Sequence, residues 1–341
     1  MANHLKDVLS NWYPMRDQYS WVIATVIAIK GSSYRKTGAM MLINEVGQYY
    51  GLISGGCLEK SLLADVKKVL IYKRSLCVCF DSGDDAETGW AKALGCGGKV
   101  TILLQPVDAT NDYQALDLVY ESLCIRKSVF YSINIHADAH SQFNNRLLNT
   151  AELHELNVDS TNTFLRNYHG QELLIVGIRP PIHMAIFGGG IDAIPLVKMA
   201  TVLGWQLTLI DNRVGYADEF FFENITIIRT ANDSDEVKTL LGDIDAAIVM
   251  THNIAMDALA LNSLQSFNLA YIGLLGPAHR KQKVLKQAGL ATDIKIYGPM
   301  GFDIGGDLPE SVALSVLAQC HQVLELGAEK NAQHNVRQFS N

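Results

Sequence analysis

No apolar run in this chain approaches the ~20 residues that a membrane-spanning helix needs. The opening Met1-Ala2-Asn3-His4-Leu5-Lys6-Asp7 lacks the basic leader and apolar core of a secretory signal. Positive charge is not in excess either. Lys and Arg number 28 against 35 Asp and Glu, a net charge of -7, which disfavours a general nucleic-acid binder. Cysteine is sparse: six thiols in 341 residues do not make a disulfide framework. These absences predict a cytoplasmic protein with reduced thiols that engages neither membrane nor nucleic acid. Hydrophobic residues reach 48% and charged residues 18%, so a sizeable core can form. The length allows about two domains.

The N-terminal half reads as α+β. Helical spacing marks residues 1–20, 58–72 and 113–123, and β-rich runs occupy 21–29, 39–43, 48–53, 76–80, 99–104, 128–135 and 172–178. Residues 137–169 are polar and weakly patterned. Arg179-Pro180-Pro181 punctuates the chain, and the domains are set at 1–179 and 180–341. Beyond it, short apolar strands at 182–187, 205–210, 225–228, 246–250 and 270–275 alternate with helices. That alternation predicts a parallel sheet covered on both faces, an α/β domain.

Gly188-Gly189-Gly190-Ile191-Asp192-Ala193 fits G-x-G-x-x-A, follows a strand, opens a helix and precedes a strand ending in Asp211. This is the context of a dinucleotide-binding turn. Gly188 permits the turn, Gly190 lets a phosphate approach, helix-start amides hold the anion, and Asp211 reaches a ribose. The alternative is a scaffold that binds no nucleotide, and Asp192, a carboxylate beside the phosphate position, favours it. His252 follows a later strand, as an acid–base group or a loop histidine. Arg280 and Lys281 pair with a phosphate or line a solvated helix face. Asp307 with Glu310 reads as a capping box, which leaves Asp303 in the preceding glycine-rich loop unexplained.

Two thiols sit among glycines, Cys57 in Ser54-Gly55-Gly56-Cys57 and Cys96 in Gly95-Cys96-Gly97-Gly98. Each is either a soft ligand or sulfur carrier, Cys57 with its thiolate favoured at a helix start, or an inert buried thiol. Their settings predict that the two approach each other across one pocket. Cys77 and Cys79 alternate on one strand and are expected on a core face; Cys124 and Cys320 are expected in the core of amphipathic helices. The loop Gly31 to Gly38, with Arg35 and Lys36, offers either an oxyanion site or an ordinary hairpin.

Taken together these motifs resemble the XdhC/CoxI family, accessory proteins of molybdenum hydroxylases such as xanthine dehydrogenase. The resemblance runs through Gly31 to Gly38, Ser54 to Glu59, Gly95 to Gly98, Phe187 to Ala193, Asp211-Asn212-Arg213, Met250-Thr251-His252, Tyr271 to Gly276 and Gly301 to Gly305. It implies an N-terminal α+β domain of that family followed by a Rossmann-like domain. It also implies a maturation factor, commonly a homodimer, that binds molybdenum cofactor and helps deliver its sulfurated form to a xanthine dehydrogenase-type apoenzyme, working with a cysteine desulfurase. The chain departs from the family pattern at Tyr34, Ile191-Asp192, Asn253-Ile254 and Pro277-Ala278-His279.

In this reading the cofactor-binding residues are Arg35, Gly55, Gly56, Cys57, Cys96, Gly188, Gly189, Gly190, Asp211, His252 and Asp303, with Cys57 and Cys96 nearest the metal or its sulfur. The competing reading is an NAD(P)-dependent oxidoreductase built on the Gly188 turn and Asp211. A third is a non-catalytic assembly partner with a vacant crevice.

Overall fold

The computed structural model describes residues 3–81, 98–135, 145–158, 163–291 and 294–338. Two compact units divide the chain, Asn3–Pro180 and Pro181–Asn341.

The first unit begins with α1 (Leu5–Trp12), β1 (Trp21–Lys30), β2 (Met40–Asn44), β3 (Tyr49–Gly51), α2 (Cys57–Tyr72), β4 (Leu76–Asp81) and β5 (Lys99–Val107). It continues with α3 (Leu116–Cys124), β6 (Val129–Asn134), β7 (Arg146–Leu147), α4 (Thr150–Glu155), β8 (Phe164–Tyr168) and β9 (Gln171–Ile178). One antiparallel sheet runs β3-β2-β1-β5-β4 and a second runs β7-β6-β9-β8. The apolar run of β1 is continuous because both of its faces are covered. Val22, Ala24 and Val26 meet Leu58, Leu62, Val66 and Val69 of α2. Trp21 and Ile23 turn the other way, into a core shared with α1, α3 and the second sheet through Leu9, Val119, Tyr131 and Leu174.

The cysteines of β4 contradict expectation. Its burial alternates, with Leu76, Val78 and Phe80 half-buried and Cys77 and Cys79 exposed. The strand lies at the sheet edge, and its larger apolar side chains, not the thiols, take the covered face. Cys124 is likewise exposed, since the buried stripe of α3 is Leu116, Val119 and Leu123. Cys320 is fully buried, and burial pushes its thiol pKa far up. The weakly patterned stretch 137–169 supplies β7, α4 and β8, short elements without a sustained apolar period.

The second unit contains β10 (His183–Phe187), α5 (Ala193–Val202), β11 (Gln206–Ile210), β12 (Thr226–Ile228), α6 (Asp235–Leu241), β13 (Ala246–Val249), α7 (Ile254–Leu264), β14 (Tyr271–Leu274), α8 (Ala278–Ala288) and α9 (Pro309–Gln338). Its strands run parallel in the order β12-β11-β10-β13-β14. Alternate side chains feed two cores. Ile186, Leu209 and Ile248 pack on α5 and α9, while Phe187, Ile210 and Val249 pack on α6, α7 and α8. Among the described residues no helix is long and apolar enough to cross a membrane.

Packing at α2 gives a direct test. Leu62 is fully buried and Lys67, on the same helix, is exposed. Leu62→Ala should lower the unfolding free energy by about 2–5 kcal/mol, whereas Lys67→Ala should stay within about 0.5 kcal/mol, both read by urea denaturation.

Candidate functional site

The glycine-rich motifs of the first unit gather at one end of its five-stranded sheet. Lys30 and Asp81 both pair with Lys99, and Met41 pairs with Gly51. The end of β1, the start of β2, the end of β3, the end of β4 and the start of β5 therefore share one edge. The Gly31–Gly38 loop, Gly98 and the start of α2 open there. Gly98 lies so close to that loop that an added Cβ would collide with the Ser32 carbonyl.

The start of α2 is held by Ser54 and Glu59. The buried Glu59 carboxylate accepts from the Ser54 amide at 2.8 Å, from the Ile53 amide at 3.3 Å and from the Ser54 hydroxyl. That hydroxyl accepts in turn from the Gly56 and Leu58 amides. Gly56 takes φ +106°, a left-handed conformation that glycine alone adopts cheaply. Among the described residues, added Cβ atoms at Gly55 and Gly56 would meet nothing within 4 Å, so none of them covers the outer side of this loop. Cys57 is the first residue of the 16-residue helix. Its side chain, and all of Cys96, lie outside the described residues, and with them the expected approach of the two thiols. Arg35 lines a cleft of about 190 Å³ with His4 and Arg179 over Val8, Met40 and Val176.

In the second unit the loops after four parallel strands are tied together by two buried carboxylates. Asp211, fully buried at the end of β11, accepts from the Gly189 amide at 2.8 Å and from Arg213 through Nε at 2.9 Å and Nη2 at 2.6 Å. Arg213 also donates to the Thr251 carbonyl at 2.9 Å and stacks on Tyr216, 3.6 Å from the ring centre. Thr251 donates its hydroxyl to the buried Asp257 at 2.5 Å. Asp257 accepts from Arg280, which also donates to the Leu275 carbonyl. The chain of contacts thus runs from the turn after β10 to the loop after β14. Burial opposes ionisation of Asp211, but the bonds from Arg213 and Gly189 outweigh it and hold its pKa below the ordinary value.

This network gives several expected site residues a different job. Asp211 is engaged by Arg213 and Gly189 rather than presented to a ribose. Arg280 is neither solvated nor open to a phosphate, and Lys281 donates to the Ile296 carbonyl. Gly188, at φ +119°, lies where a Cβ would stand 2.6 Å from the Met250 carbonyl oxygen, and at Gly189 it would stand 2.6 Å from the Ala217 amide. Only at Gly190 is the obstructing group a side chain, the Asp192 carboxylate. Asp192 Oδ2 lies 2.7 Å from His252 Nε2, a contact between the turn after β10 and the loop after β13. His252 itself holds φ +60°.

A cleft of about 210 Å³ opens beside this pair, lined by Asp192, Leu196, Met250, Leu275, Met300 and Asp307 with the first turns of α9. The helix α9 begins at Pro309, so Asp307 precedes it by two residues and lines the cleft; the expected capping role is replaced. Asp303 is exposed in the loop before it. Sequence reasoning missed Arg213, Asp257 and Glu59. The signal for Asp257 was an acid on the i, i+4, i+7 stripe with Leu261 and Leu264, which demands a buried cation.

A five-stranded parallel sheet in third-second-first-fourth-fifth order, with a glycine turn after its first strand, defines a Rossmann-type domain. Residues 184–320 match the model of the XdhC Rossmann domain, and residues 15–81 match that of the XdhC and CoxI family. The chain belongs to the XdhC and CoxI family.

Among curated relatives, a Bacillus subtilis protein named as a probable xanthine dehydrogenase subunit is 29% identical, over 90% of this chain and 94% of its own. The molybdenum cofactor insertion chaperone PaoD of Escherichia coli is 25% identical, over 89% of this chain and 83% of its own. A crystal structure described as a xanthine dehydrogenase from Bacillus halodurans is 29% identical with a TM-score of 0.78, covering 94% of this chain and 96% of its own.

Removing Arg213 would strand the Asp211 carboxylate. Arg213→Ala should therefore cost about 3–5 kcal/mol, the scale for breaking a buried ion pair, and Asp211→Asn combined with Arg213→Ala should cost less than the sum of the two. Acid titration gives a second check. The lowered pKa of Asp211 contributes stability that is complete above the ordinary carboxylate value of about 3.9 and is lost as pH falls through the lower folded value. Thermal unfolding of Asp211→Asn between about pH 5 and pH 2 should fall less steeply with acid than that of the parent.

Proposed function

We propose that this chain binds molybdenum cofactor as cargo and helps hand it, in sulfurated form, to a xanthine dehydrogenase-type apoenzyme. Support comes from family membership and from PaoD, a relative named for molybdenum cofactor insertion. The observation that carries the reading is the gathering of Gly31–Gly38, Gly98 and the Gly55-Gly56-Cys57 helix start at one edge of a sheet.

That edge suits a soft, anionic cargo. Among the described residues, nothing covers the backbone at Gly55 and Gly56. Cys57 stands at the first position of a 16-residue helix, where the helix dipole favours a thiolate. Cys57 and Cys96 are assigned to the metal or its labile sulfur. Arg35, beside Arg179 in its cleft, is assigned to an oxyanion of the cargo. A cysteine desulfurase as sulfur source, a homodimer as working form and the cytoplasm as location complete the reading.

A nicotinamide-dependent oxidoreductase draws less support. Its ribose anchor would be Asp211, whose carboxylate is bound by Arg213 and Gly189.

Protein purified from a molybdenum-replete host should carry molybdenum and pterin in comparable amounts. Cys57→Ala should retain about tenfold less molybdenum, the scale for losing a metal-site group, with an unchanged melting temperature. Absence of both molybdenum and pterin from the parent protein would overturn the proposal.

A further inference from the structure

The cleft beside the Gly188–Gly190 turn is built to accept hydrogen bonds rather than to hold an anion. Eight of its ten lining residues are apolar and the other two are Asp192 and Asp307. No basic side chain lines it among the described residues. The nearby guanidinium groups of Arg213 and Arg280 are committed to Asp211 and Asp257. The Gly189 amide, which an anion at this turn would use, already donates to Asp211. One oxygen of Asp192 contacts His252, and the other lies 2.6 Å from where a Gly190 Cβ would stand. A phosphate at this turn would meet a carboxylate.

Such a cleft suits a flat ring with apolar faces and N–H donors along one edge. Met250 and Met300 offer polarizable thioethers to the faces. A carboxylate accepts two parallel N–H bonds well. Adjacent ring N–H and exocyclic amino groups supply that pair in a 2-amino-4-oxopyrimidine. At about 210 Å³ the cleft falls below the range of about 300–1,000 Å³ typical of drug-sized ligands, which suits one fused ring system better than a dinucleotide.

We propose that this cleft takes the 2-amino-4-oxopyrimidine edge of a fused bicyclic ring, pterin or guanine, with Asp192 as its acceptor. The pterin arm rests on the cofactor-carrying reading above. The proposal assigns the crevice a ring-recognition role and removes the phosphate from it.

The test is fluorescence titration of the full-length protein with unphosphorylated 2-amino-4-oxopteridine, with guanosine and pyrophosphate as competitors. The 2,4-dioxo analogue, which lacks the amino donor, should bind about tenfold more weakly, as sites built around a ligand donor reject its absence. Asp192→Asn should weaken the parent pterin by about tenfold without lowering the melting temperature. Asp307→Asn serves as a second variant on the same cleft and should leave the preference for the amino ring intact. Competition by guanosine assigns the guanine source, and its absence assigns the pterin.

Displacement of the pterin by pyrophosphate, equal binding of the dioxo analogue, or no pterin binding overturns the inference. The molybdenum content of the same preparations separates the two readings. A molybdenum-loaded protein whose pterin binding ignores Asp192→Asn removes this inference and leaves the carrier role. A molybdenum-free protein that binds the amino ring through Asp192 does the reverse.

Discussion

The buried carboxylate of Asp211 sets the geometry of the second unit's crevice. It fixes the glycine turn through the Gly189 amide and orients Arg213, which then reaches the Thr251 carbonyl beyond the neighbouring strand. Thr251 is the joint of the system, because it also binds Asp257, the partner of Arg280. Loops at the carboxyl ends of parallel strands are ordinarily the mobile part of such folds. Here they are cross-tied by charge-assisted bonds inside a low-dielectric setting, where each bond is strong and each unpaired group costly. The same contacts consume the groups that a nucleotide site would present, so rigidity and ligand preference have one cause.

The first unit solves a related problem without arginine. Its helix α2 must start beside exposed glycines, and Ser54 with Glu59 satisfies the local amides from the buried side. Among the described residues, none covers the outer side of Gly55 and Gly56. Support from beneath and space above is what a loop needs if it is to hold a ligand against its backbone.

Much of the architecture was legible in the sequence. Alternating apolar strands and helices after Pro181 announced a parallel sheet, and the Gly188 turn marked where its loops would gather. Burial of side chains was harder to read where a strand carried two kinds of apolar residue. On β4 the period-2 pattern fixed that Cys77 and Cys79 share a face, but not which face is covered; edge position and the larger volumes of Leu76, Val78 and Phe80 settled it. Polar partners were least legible. Asp211 and Arg213 are two residues apart, yet only the fold brings Gly189 and Thr251 to them. Asp307 was misread because a capping pattern in sequence does not say where the helix starts.

The placement of Cys77 and Cys79 has a consequence for redox behaviour. Two residues apart on an extended strand, their Cβ atoms are separated by roughly 6.6 Å from the strand rise, whereas a disulfide requires about 3.5–4.5 Å. Neither thiol can therefore be oxidised by closing on the other. Both face solvent on an edge strand, so oxidising conditions would direct them outward, to small-molecule thiols or to a second molecule. Covalent oligomers formed in air would then report the exposed face of β4 together with the exposed Cys124 of α3.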